Sequence, residues 1–374
     1  MQISSQFDAG NIEVISCTSA SDIQLAIRKD NQSDFYQWFY FRLTGAEGQA
    51  CKLNITNAGQ AAYVDGFKDY QAVASYDREN WFRVDTQFDG KSLTINHTPA
   101  SNNIYFAYFA PYSMERHADL ISWASTDSRV TYEHLGYTLD GQDMDLLIIG
   151  DEAPSKKRYW VIGRQHPGET MAEWCIEGFL ERLLDSDDPV AREALANATF
   201  YVVPNMNPDG SRRGHLRTNA VGSNLNREWL NPTAEASPEV LCVLNKMKAV
   251  GVDFCLDVHG DEALPYNFIA GAEGIKSWSD AKQAELDFYK RTLMNTNPDF
   301  QTAKGYEVDK PGTANLTICT NYIAHTFDCL AMTLEMPFKD TVESPEPATG
   351  WSPARSKHLG ASNLDVMLGF LRKR

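Results

Sequence analysis

Two short stretches of this chain place metal-ligating side chains at the ends of apolar runs. His166-Pro167-Gly168-Glu169 follows Tyr159-Trp160-Val161-Ile162, and His259 closes Leu256-Asp257-Val258-His259-Gly260. A strand ending in a tight Pro-Gly turn can aim an imidazole and a carboxylate at one point, and a second strand ending in His259 can supply a third ligand. Two histidines and one glutamate around zinc leave a position open for water, as in a catalytic rather than a structural site. Zinc lowers the pKa of such water to about 7, which makes it a nucleophile at neutral pH. His-x-x-Glu alone is a weak signal. The other histidines (His97, His117, His134, His215, His325 and His358) have no comparable context.

These candidates need rigid elements behind them. Thr170-x-x-Glu173 fits a capping box opening a helix to about Leu184, with Trp174, Ile176, Phe179, Leu180 and Leu183 for its buried side, so the metal turn is wedged between strand and helix. Ala198 to Pro204 and Val252 to Val258 read as buried strands. Ser237-Pro238-Glu239 opens a helix with Ser as cap and Pro in the first turn. The run Cys329 to Met332 reads as a buried strand leading into Thr333-Leu334-Glu335-Met336, and Ser356 to Arg372 as a closing amphipathic helix. From residue 113, where Asp119 to Trp123 starts a helix, strands alternate with helical patterns, the signature of an α/β domain. Residues 1–112 read instead as strands and turns. Phe35 to Leu43 and Ile104 to Phe109 are aromatic strands, and Trp81 to Phe88 and Lys91 to His97 flank Asp89-Gly90 as a hairpin. A β-sandwich is predicted for this part, with its aromatics in the core.

A chain of 374 residues is long for one core, so two domains are expected. The net charge of -16 and the absence of any Lys/Arg block argue against nucleic acid or an anionic membrane as partner. Met1 to Gly10 lacks a signal-peptide pattern and no apolar stretch approaches a membrane span, so the cytoplasm is the expected location. Seven cysteines, odd in number and mostly within apolar segments, fit reduced thiols better than a disulfide framework.

Further motifs follow in order: Asn207-Pro208-Asp209-Gly210, Arg217, Asn224-Leu225-Asn226-Arg227-Glu228-Trp229 and Thr333-Leu334-Glu335-Met336. Together with the two metal stretches they resemble the M14 family of zinc metallocarboxypeptidases. His-Pro-Gly-Glu-Thr with Leu-Asn-Arg is similar to the cytosolic carboxypeptidase branch, and Phe109-Ala110-Pro111-Tyr112-Ser113 to the junction between that branch's two domains. The resemblance implies an α/β catalytic domain over 113–374, with a mixed central sheet flanked by helices, preceded by an N-terminal β-sandwich over 1–112.

It also implies roles. His166, Glu169 and His259 would hold one zinc ion. Glu335 would be the general base and later acid, and burial at the end of an apolar strand would raise its pKa toward a useful range. Asn226 and Arg227 would bind the substrate's terminal carboxylate, which the planar guanidinium fork suits. Arg217 would support the scissile carbonyl as oxyanion charge develops, with Arg212 and Arg213 as neighbouring competitors. Tyr306 is the candidate substrate-capping tyrosine, with Tyr322 as rival. Asn224 stands where the family usually has an Asp orienting a metal-binding His, which weakens that support.

The expected substrate is a peptide or protein C-terminal tail. Acidic residues are a possible preference, for which Lys304 and Lys310, before the Gly312-Thr313-Ala314-Asn315 segment resembling a pocket wall, would supply charge. One alternative is an amidohydrolase acting on N-acyl amino acids or cell-wall peptides. The other is a non-catalytic peptide-binding module, against which retention of Glu335 with all three ligands argues.

Overall fold

The computed structural model describes residues 1–373. Alternation of buried apolar and outward polar residues builds the first part of the chain: Ile23 and Leu25 flank Gln24, and Cys51, Leu53 and Ile55 alternate with Lys52 and Asn54. Its strands are β1 (Gln2–Ser4), β2 (Glu13–Ser19), β3 (Asp22–Ala26), β4 (Tyr40–Thr44), β5 (Cys51–Ile55), β6 (Val73–Ser75), β7 (Phe82–Arg83), β8 (Asp85–Phe88), β9 (Leu93–His97) and β10 (Asn103–Ala107). They form two five-stranded sheets, ordered β1-β4-β10-β6-β7 and β2-β3-β5-β9-β8. The expected aromatic core is present, with Phe41 stacked on Phe106. Gly90, at φ +91°, turns the β8–β9 hairpin, while the Asp89 carboxylate accepts from the amides of Lys91 and Ser92. Two strand expectations need correction. The stretch Trp81 to Phe88 divides between the sheets, β7 in one and β8 in the other, and residues 35–39 precede β4 without joining its ladder.

The remainder contains α1 (Met114–Ser125), β11 (Val130–Tyr137), β12 (Asp143–Ile149), β13 (Lys157–Gly163), α2 (Met171–Leu183), α3 (Pro189–Asn197), β14 (Ala198–Val203), α4 (Pro208–Arg213), α5 (Pro238–Val250), β15 (Phe254–Asp261), β16 (Phe268–Ala270), α6 (Asp280–Thr296), α7 (Cys319–Phe327), β17 (Leu330–Pro337) and α8 (Pro353–Leu371). One seven-stranded mixed sheet, β11-β12-β14-β13-β15-β17-β16, is flanked by helices. Strands β14, β13, β15 and β17 run parallel at its centre and are buried on both faces, which explains their near-continuous apolar sequences. Helices α2 and α8 pack on one face, α5 and α7 on the other. At Gly360 the backbones of α2 and α8 approach so closely that a Cβ would overlap the Cys175 carbonyl.

Helix α2 begins where expected, but not by a capping box. Thr170 already has helical dihedrals and its hydroxyl donates to the Ala110 carbonyl, while Glu173 is drawn to His117 and Arg164. Ser237 likewise makes no side-chain cap to α5. No disulfide joins any of the seven cysteines among the described residues. No helix among the described residues is long and apolar enough to cross a membrane.

Candidate active site

Strands β13, β15 and β17 end at the same edge of the sheet, the place where α/β sheets commonly hold ligands. The ladder register makes His259 the direct partner of Glu335. After β13 the chain turns through Arg164, a non-glycine residue at φ +57°. That conformation needs external support. The buried guanidinium supplies it by donating to the carbonyls of Tyr112 (2.8 Å) and Pro167 (3.1 Å) and to Glu173 Oε2 (2.6 Å). Gly168 then passes so near the Leu216 backbone that a side chain would collide with it.

The turn brings His166 Nδ1 to 2.7 Å from Glu169 Oε1 and 3.2 Å from His259 Nδ1, while His259 Nδ1 lies 2.8 Å from Glu169 Oε2. All three side chains are buried. Each imidazole's far nitrogen is engaged: His166 Nε2 lies 3.1 Å from Asn224 Oδ1, and His259 Nε2 lies 2.9 Å from Asp257 Oδ2. A neutral imidazole that donates outward through Nε2–H would direct an Nδ1 lone pair inward. Gln165 steadies this arrangement, donating to Asp257 Oδ2 (2.6 Å) and accepting from the Trp229 indole (2.8 Å). Two inward imidazole nitrogens and a carboxylate, all within 4.8 Å of one another, fit the donor set of an open zinc site.

The electrostatics show a centre short of positive charge. Burial pushes His166 down to about 4, helped by the Arg217 cation. Burial also opposes charge on His259, but Asp257 and Glu169 outweigh it and raise this imidazole well above its ordinary range. Glu335 is pushed well above the ordinary carboxylate range by burial, and by Glu169, Asp261 and Glu262 against the pull of His259. Its Oε1 accepts from the Tyr306 hydroxyl at 3.2 Å, and its buried Oε2 has no protein hydrogen-bond partner among the described residues.

All eight predicted site residues line one cavity of about 520 Å³: His166, Glu169, His259, Glu335, Arg217, Asn226, Arg227 and Tyr306. The Tyr306 hydroxyl bridges Asp261 Oδ2 (2.6 Å) and Glu335, whereas Tyr322 lies outside the cavity lining. Asn226 Oδ1 accepts from the Cys319 amide, leaving its NH2 end for the cavity. Of the three clustered arginines only Arg217 lines the cavity; Arg213 pairs with Asp140. Lys304, Lys310 and the 312–315 segment lie outside the lining, where Lys290 and Glu273 stand instead.

Sequence reasoning missed Asp257, Glu262, Asp30 and Tyr63. Asp257 had a usable signal, since alternation along a strand puts it on the same face as His259. Glu262, buried at the cavity wall, and Asp30 and Tyr63, which come from loops of the N-terminal part, had none.

A family model described as zinc carboxypeptidase matches residues 120–341, and one described as the cytosolic carboxypeptidase N-terminal domain matches residues 3–109. The chain belongs to the zinc carboxypeptidase family. Among solved structures it is similar to a metallo-carboxypeptidase from Pseudomonas aeruginosa in complex with (2-guanidinoethylmercapto)succinic acid. That structure is 46% identical, with a TM-score of 0.98 and coverage of 100% of both chains. A metallo-carboxypeptidase from Burkholderia cenocepacia is 47% identical, with a TM-score of 0.97 and coverage of 100% of this chain and 99% of that one. Cytosolic carboxypeptidase 1 of Xenopus laevis is 28% identical over 355 residues, which cover 80% of this chain and 28% of that protein.

Proposed function

We propose that this member of the family is a zinc-dependent exopeptidase removing the C-terminal residue of peptides or protein tails. The observation that carries the reading is the single cavity joining the His166–Glu169–His259 cluster, the half-partnered Glu335 and two arginines. His166, Glu169 and His259 hold one zinc ion, which when bound supplies Lewis acidity and lowers the pKa of water to about 7. A cation held there would oppose the burial and the neighbouring carboxylates that raise Glu335, favouring its basic form. Its Oε2 takes the proton of the attacking water and hands it to the leaving amine. Arg217 donates to the developing oxyanion, while Arg227 and the Asn226 amide bind the terminal carboxylate. Tyr306 closes over the bound residue, exchanging its bonds to Asp261 and Glu335 for substrate.

The finer preference takes a broader form than acidic residues alone. Lys290 and Glu273 line the same cavity, and the ligand of the Pseudomonas aeruginosa relative carries both a guanidino group and carboxylates. Polar leaving residues of either sign are therefore accepted. We also place the protein in the cytosol, with a domain division at 112/113, supported by its cytosolic carboxypeptidase relatives and by the separate sheets on either side. The test is release of C-terminal residues from a peptide library by zinc-loaded protein, read by mass spectrometry. Peptides ending in Glu and Lys should be trimmed at rates within about tenfold, the equivalent of 1.4 kcal/mol. Trimming of one sign alone contradicts the broad pocket, and no trimming contradicts the exopeptidase.

A further inference from the structure

Arg217 is held at both ends by loops of the N-terminal part. Asp30, 3% exposed, follows β3, and its carboxylate accepts from three successive backbone amides: Leu216 (2.7 Å), Arg217 (2.8 Å) and Thr218 (2.9 Å). The Thr218 hydroxyl adds a fourth bond at 3.1 Å. Asn31 extends the clamp, its amide donating to His215 Nε2 and its side chain to the Ala220 carbonyl. At the other end of Arg217, the guanidinium carbon sits over the rings of Phe35 (5.6 Å) and Tyr63 (5.4 Å). The guanidinium makes no ion pair among the described residues. Two ring faces fix the cation without occupying its N–H donors, which a carboxylate partner would do. Those donors remain available at the cavity wall.

We infer that the N-terminal β-domain is a working part of the catalytic site, with Asp30, Phe35 and Tyr63 as positioning residues that hold Arg217 against the scissile carbonyl of the substrate. The inference rests on the reading of Arg217 as the oxyanion donor. Preorganised donors act only when aimed at the point where charge develops, and a misplacement near 1 Å can cost about 100-fold. A carboxylate gripping the peptide groups on both sides of Arg217, from another part of the chain, supplies that aim.

The test is a set of steady-state measurements on full-length zinc-loaded protein: wild type, Asp30→Asn, Arg217→Ala and the double variant. Asp30→Asn should lower kcat about tenfold or more with KM within about threefold and zinc content retained, because the interaction lost belongs to the transition state. In the Arg217→Ala background the same change should alter kcat less than about threefold. Phe35→Leu with Tyr63→Leu leaves the Asp30 bonds in place and should show the same dependence on Arg217, which keeps the test open if Asp30→Asn fails to fold. Equal losses with and without Arg217 overturn the positioning role. An Arg217→Ala variant with undiminished kcat contradicts the oxyanion reading itself and removes the inference with it.

Discussion

Glu335 and Asn224 carry the sharpest expectations at the residue scale. Glu335 sits beside His259 in the strand ladder with one oxygen free of protein partners. Replacing it with Gln keeps size and hydrogen bonding and removes the basic oxygen. Glu335→Gln should therefore retain zinc and fold while losing at least about 100-fold in kcat, the usual scale of a general base; a loss below tenfold contradicts the role. Asn224 Oδ1 lies 3.1 Å from His166 Nε2, within reach to support that histidine as a proposed zinc ligand. Asp257 faces His259 Nε2 at 2.9 Å with a carboxyl group where Asn224 offers an amide, so the two imidazoles are unequally supported. Asn224→Asp should tighten zinc binding about tenfold or more, measured by chelator competition at fixed pH. Unchanged or weaker binding would show that this hydrogen bond does not tune the ligand.

The elements were legible in the sequence where one periodicity governed them. Helix α2 and the central strands fall within a few residues of their predicted bounds, because burial on both sides of the sheet leaves long apolar runs. The capping box failed because tertiary partners outbid a local pattern: Glu173 turns from its own helix N-terminus to His117 and Arg164. That choice binds three elements together. His117 of α1 lies 2.5 Å from Glu173 Oε1 of α2 and 2.9 Å from Asp145 Oδ2 of β12. Burial disfavours its charge, but the two carboxylates outweigh this and raise it to about 9. A folded pKa above the ordinary value near 6.5 gives stability that is complete below pH 6.5 and lost as pH rises through about 9. The contribution is at most about 3 kcal/mol. Urea unfolding at pH 6 and pH 9.5 should show a larger drop for wild type than for His117→Gln, and parallel behaviour of the two proteins would remove His117 from the pH dependence.

At the scale of the whole molecule, the eight site residues named from sequence all reach one cavity: seven through the ordered motifs, and Tyr306 with no motif of its own. Residues that act across the chain were not legible. Asp30 and Tyr63 look like ordinary loop residues until folding lays them against Arg217, at a sequence separation no periodicity spans. Arg83 tells the same story away from the cavity: from β7 it reaches the carbonyls of Phe338, Thr349 and Trp351, tying the N-terminal sheets to the end of β17 and the start of α8. Against a net charge of -16 a cavity arginine is distinctive, and Arg227 is the one proposed to bind the substrate's terminal carboxylate. The most direct test of that site uses two peptides identical except for a free or an amidated C-terminus, incubated with zinc-loaded protein. The free acid should lose its last residue at least about 100-fold faster, because a site built to bind a charged group rejects the analogue lacking it. Equal cleavage of both peptides, or cleavage at internal bonds, would contradict the exopeptidase account.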